Sequence, residues 1–225
     1  FEELIWKNNL NNYLSSGFFK KLDTEYENIN LQNELDDLIK KTLFVKKKKR
    51  YLSKNNYNIF RLKYLIKQYN DANFIILFRD PIETIISLGK VHKRFMDLGK
   101  NDKSFGEELE ILGHHEFGPK RKAFNISNNF EKTINYWDSG IDHNGYLLQW
   151  IDLYNYVLKE YKSLIESKKI LLLKFSSNLD FSFCEKIIRH CEINNKDQLS
   201  SYFRTFAVNK KKKDNKLFNF NKKDV

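Results

Sequence analysis

The chain has 225 residues, enough for one domain with a sizeable core, and its hydrophobic content of 41% excludes a disordered polymer. The formal net charge is +11, which points to nucleic acid, an anionic membrane surface or an anionic substrate as the partner. No apolar run reaches the length of a membrane span.

Phe1 to Leu14 reads as a helix, with Leu4, Ile5 and Trp6 apolar. Glu25 to Phe44 reads as a second, in which Ile29, Leu31, Leu35, Leu38, Ile39 and Leu43 keep near-helical spacing. The dense basic run Lys46 to Arg50 reads as a solvated face. Arg50 to Ser53 reads as a short strand and Lys54-Asn55-Asn56 as the turn after it, while Ile59, Leu62, Leu65, Ile66 and Tyr69 mark another helix. The unbroken apolar run Phe74 to Phe78 has strand length and no alternation, which predicts a strand covered on both faces. It stops at Arg79, and the period then changes. Asp80 can cap a helix, Pro81 suits its first position and Glu83 completes a capping-box spacing, predicting a helix to about Met96. Phe105 to Leu112 reads as a short helix, Gly113 to Pro119 as a loop, and Phe130 to Trp137 and Asn144 to Ile165 as helices. Ile170 to Phe175 is a further apolar strand, and Leu179 to Cys191 and Asp197 to Phe206 read as closing helices. Strands alternating with helices predict an α/β fold, a parallel sheet flanked by helices and joined by right-handed crossovers. Residues 1–208 read as a single domain and 209–225 as a basic polar tail.

Chemistry-bearing residues concentrate at two places. A helix N-terminus at the carboxyl end of a parallel strand favours an anion, and Arg79 adds a fork-shaped permanent charge there, with the Ser87 hydroxyl two turns on. The same residues also read as an ordinary surface arginine and a helix start. In Gly113-His114-His115-Glu116-Phe117-Gly118, an extended segment would turn His114 and Glu116 the same way, as a base and its orienter, or leave them as surface residues. Two adjacent histidines without nearby cysteines do not have metal-ligand spacing. Cys184 and Cys191 lie too far apart along one helical pattern to bridge, which suits a reducing compartment.

Arg79-Asp80-Pro81 followed by Ser87 resembles the 3′-phosphate-binding segment of sulfotransferases that use 3′-phosphoadenosine 5′-phosphosulfate (PAPS). Arg50 to Asn58 and Leu112 to Gly118 are similar to further segments of the bacterial members, and the similarity runs from about Phe1 to Phe175. The resemblance implies the sulfotransferase variant of the phosphate-loop nucleotide-binding fold and transfer of a sulfuryl group from PAPS to an acceptor hydroxyl or amine, without a metal. It assigns Arg79 and Ser87 to the 3′-phosphate and puts Lys54 near the transferring group, on a strand neighbouring that of Arg79. Cytosolic members carry a catalytic histidine where this chain has Asn56, which cannot act as a base. Asn55 and Asn56 then either orient the acceptor or cap the next helix, and the proton acceptor falls to His114 or Glu116. Phe1-Glu2-Glu3 and Trp6-Lys7 match a segment that follows the phosphate loop in the family, and no Gly-rich phosphate loop occurs in this sequence. The chain therefore reads as a fragment lacking the first strand and that loop. It is expected to show little activity alone, to aggregate through an open sheet edge, and to come from the bacterial cytosol. A non-enzymatic nucleic-acid binder is the alternative raised by the net charge of +11 together with 19 Phe and 12 Tyr, but most of these aromatics keep core spacing rather than alternating with Lys and Arg. An inactive sulfotransferase-like fragment is the other alternative. A nucleotide-dependent kinase would need the missing phosphate loop.

Overall fold

A computed structural model describes residues 2–11, 13, 21–102, 104–176, 181–194, 199 and 201. The two most continuous apolar runs form its two strands. β1 (Phe74–Arg79) pairs in parallel with β2 (Ile170–Phe175), in register from Phe74 opposite Ile170 to Arg79 opposite Phe175. The helices are α1 (Glu2–Asn9), α2 (Ile29–Lys46), α3 (Leu62–Gln68), α4 (Pro81–Asn101), α5 (Phe105–Ile111), α6 (Phe130–Asp138), α7 (Asp142–Glu160), α8 (Lys162–Glu166) and α9 (Phe181–His190), with a 3₁₀ turn at Asn56–Phe60. The architecture is α/β in the coarse sense: helix-rich, with a small parallel sheet flanked by helices. No helix among the described residues is long and apolar enough to cross a membrane.

The chain divides into two compact units, Phe1–Ala72 with Pro81–Lys162, and Asn73–Asp80 with Ser163–Val225. In the second unit, Phe183 of α9 packs its ring edge against Phe175 of β2 at 6.0 Å, and His190 Nε2 lies 2.9 Å from the Phe74 carbonyl oxygen. Ile170 and Leu173 of β2 and Cys184 and Ile188 of α9 are buried. In the first unit, Asn28 caps α2, its side-chain oxygen accepting from Leu31 N at 3.0 Å, and Leu31 and Leu35 face inward. Trp6 of α1 is buried edge-on against Tyr64 of α3. Ile85, Ala123, Trp137 and Tyr146 form a second cluster joining α4, α6 and α7. Gly145 is required there, because a Cβ on it would overlap the Trp137 indole.

Four sequence expectations are corrected. Residues 50–55 are irregular rather than a strand: Ser53 Oγ donates to Glu2 Oε2 at 2.5 Å, and Asn55 caps the 3₁₀ turn with a 2.9 Å bond from Tyr57 N to its Oδ1. Only four residues long, the segment offers little to hold a strand in a sheet, and local contacts satisfy it instead. β1 is not covered on both faces either. Ile76 is buried but Leu77, which points to the opposite face, is 50% exposed. The helix expected around Ile59 to Tyr69 breaks at Arg61, and the helix expected over Asn144 to Ile165 breaks at Tyr161. The basic tail 209–225, and all of the closing helix 197–206 except residues 199 and 201, lie outside the described residues.

Candidate functional site

The site is built around the loop His114–Phe117, bracketed by Gly113 at φ +77° and Gly118 at φ +88°. A left-handed backbone suits glycine, and the two bends let a short segment turn inward between α5 and the chain that follows it. At Gly118 the space also demands it, since a Cβ would sit 2.7 Å from Leu109 Cδ1. Three elements of the first unit hold this loop. His115 N donates to the Tyr57 hydroxyl at 3.0 Å, from the 3₁₀ turn. The Tyr146 hydroxyl of α7 donates to the Glu116 carbonyl at 3.1 Å. Gly118 N donates to His92 Nδ1 of α4 at 3.0 Å, which makes that nitrogen the unprotonated one. Burial, reinforced by the nearby Arg121 charge, holds His92 below the usual imidazole range.

The side chains of the loop point to different surroundings. His114 is exposed and stacks on Phe117, with ring centroids 5.5 Å apart. His115 is fully buried beside the Tyr57 ring, and burial together with the Lys122 charge lowers its pKa to about 4, so it is neutral near pH 7. Glu116 is buried. His114 and Glu116 are therefore not a base and its orienter: one faces water and the other the interior, because the bends at the two glycines break the extended geometry that such a pair needs.

The orienting partner of Glu116 is Asn56. Lys54 Nζ, exposed, donates to Asn56 Oδ1 at 2.8 Å, and Asn56 Nδ2 donates to Glu116 Oε1 at 2.8 Å. An ammonium thus reaches a buried carboxylate through one amide whose dipole is aligned with both. Glu116 Oε2 is buried without a hydrogen-bond partner. The Tyr57 phenol faces the same carboxylate, and burial and that negative charge keep the phenol well above its usual range. A buried oxygen left in this state costs about 1–3 kcal/mol, more for a charged group, and an incoming donor would recover it.

The structure gathers three of the residues picked out in the sequence, Lys54, Asn56 and Glu116, into one chain. Asn55 takes the capping role, donating from Nδ2 to Glu3 Oε2 as well. Arg79 ends β1 and is partly exposed, and Ser87 lies exposed on α4. Sequence reasoning missed Arg61. Its guanidinium is buried over the Trp6 ring at 4.4 Å and paired with Glu3, at 2.6 Å from Nη2 to Oε1 and 3.2 Å from Nη1 to Oε2. The lone charge between Phe60 and Leu62 was the available signal. Tyr57, His92, His115 and Tyr146 were also missed as positioning residues, because each acts through a partner far away in sequence. No group of three His, Cys, Asp or Glu side chains among the described residues could hold a metal ion. Comparison of the chain with protein-family models, curated proteins and solved structures finds no match.

Proposed function

We propose that the chain is a sulfotransferase-type enzyme that moves a sulfuryl group from PAPS to an acceptor hydroxyl or amine. The observation that carries this reading is the chain from Lys54 through Asn56 to Glu116, with its unpartnered Oε2. An acceptor hydroxyl donating to that oxygen would complete the hydrogen bonding of the carboxylate. Glu116 would take the proton as the acceptor oxygen bonds to sulfur and the sulfur–oxygen bond to the nucleotide breaks. Asn56 fixes the carboxylate, which supplies the orientation that an activated base needs. Lys54 offers positive charge to oxygens whose charge grows during transfer. The resemblance assigns the 3′-phosphate to Arg79 and to Ser87, whose guanidinium and hydroxyl are each able to donate to phosphate oxygens. The finer fold assignment, a sulfotransferase-like variant of the phosphate-loop fold, belongs to the same proposal. It is supported by α4 starting directly after the carboxyl end of a parallel strand.

The test is transfer of radiolabelled sulfate from PAPS to a panel of hydroxyl and amine acceptors, with Glu116→Gln beside the parent. Label transfer that is low in the parent and lower still in the variant is the expected result. Equal transfer by both would remove Glu116 from the chemistry.

A further inference from the structure

We infer that the carboxyl-terminal tip of α2, with the segment that follows it, is a docking surface for an anionic lipid bilayer. Phe44, Val45 and Leu52 are 84%, 72% and 91% exposed, and Lys46, Lys47, Lys48, Lys49 and Arg50 run between them. No Asp or Glu occurs in sequence between Asp37 and Asp71. The backbone of the tip is fixed. Lys47 adopts φ 50°, ψ 46°, Lys47 N donates to the Phe44 carbonyl at 3.2 Å, and Lys48 N donates to the Leu43 carbonyl at 3.0 Å. This is the paired closure of a Schellman motif, with lysine where glycine is usual. The apolar side chains are thus presented by a closed helix end.

A merely solvated basic face has no use for three large apolar side chains in water. A bilayer interface takes both kinds of residue: the apolar groups enter the acyl boundary while the lysines meet anionic headgroups, their stems lying along the apolar layer. A polynucleotide would use the charges, and Phe44 for stacking, but would gain nothing from Val45 or Leu52. The combination therefore favours lipid, held peripherally.

Flotation with phosphatidylcholine vesicles, with and without phosphatidylserine, tests this, using the whole chain and two exposed-site variants. One is the double substitution Phe44→Ser, Leu52→Ser, and the other replaces Lys46, Lys47, Lys48 and Lys49 by Gln. The parent should float with the anionic vesicles and not the neutral ones. Affinity should fall about fivefold for each lysine removed, and at least about tenfold in the apolar variant. Thermal melts of both variants should match the parent. The inference is overturned if anionic vesicles do not carry the parent, or if the apolar variant floats as well as the parent. It is also overturned if a single-stranded oligonucleotide binds the parent and the apolar variant equally and neither responds to phosphatidylserine.

Discussion

Glu116→Gln keeps an oxygen to accept from the Asn56 amide and removes both the charge and the proton acceptor. Turnover should fall about 10²–10⁴-fold, the usual range for losing a positioned general base, with nucleotide affinity unchanged because the change lies in the acceptor chemistry. His114→Ala should leave turnover at the parent level, since that ring is exposed and stacked on Phe117. A loss in His114→Ala as large as that in Glu116→Gln would return the proton-accepting role to the histidine. His115 makes a separate prediction about pH. Its unfolded value is 6.5 and burial lowers the folded value to about 4, so between these the unfolded state holds more protons and acid weakens the fold. Stability should be flat above about pH 7 and fall by about 2 kcal/mol on going down to about pH 5, with His92 acting in the same direction. Urea unfolding at the two pH values measures it. His115→Gln should flatten the profile, and a parent profile already flat would contradict a neutral buried imidazole.

Among the elements, the loop and the 3₁₀ turn depend on single residues. Gly118→Ala forces a side chain into left-handed backbone and against Leu109. The two costs together come to about 2–4 kcal/mol, and the shift should also move Glu116, lowering turnover along with stability. Chemical denaturation and an activity assay on the same preparation would check both effects, and a variant as stable as the parent would show that the loop relaxes freely. At the junction of the 3₁₀ turn and α3, Arg61 is buried against Glu3 and Trp6. Arg61→Ala strands the Glu3 carboxylate at a partly buried site and should cost about 3–5 kcal/mol by urea unfolding. The double variant Arg61→Met, Glu3→Leu should recover much of that loss. If Arg61→Ala unfolds like the parent, the pair is not holding α1 against α3.

Across the whole molecule, what sequence could show was what depends on near neighbours. The runs Phe74–Phe78 and Ile170–Phe175 carry their own strand signal, and Asp80-Pro81 with Glu83 fixes where α4 begins. Arg50 to Ser53 misled because four residues fit a strand and a local turn equally well, and contacts to Glu2 decided between them. The exposure of Leu77 on β1 was not legible, because the burial of a strand's face depends on what packs against the sheet. Lys54, Asn56 and Glu116 could each be singled out, yet their connection could not, since Asn56 meets Glu116 across a long separation and the bends at Gly113 and Gly118 decide which loop residue turns inward. The same limit hid Arg61 and Glu3 as a pair. The central claim is recognition of a sulfated adenine nucleotide, and the most direct measurement is calorimetric titration of adenosine 3′,5′-bisphosphate into the parent, Arg79→Ala and Ser87→Ala. Binding should weaken by about 2–4 kcal/mol in Arg79→Ala, as for truncating a charged hydrogen-bond partner, and by about 1 kcal/mol in Ser87→Ala. No binding to the parent, or equal binding to all three proteins, would contradict it.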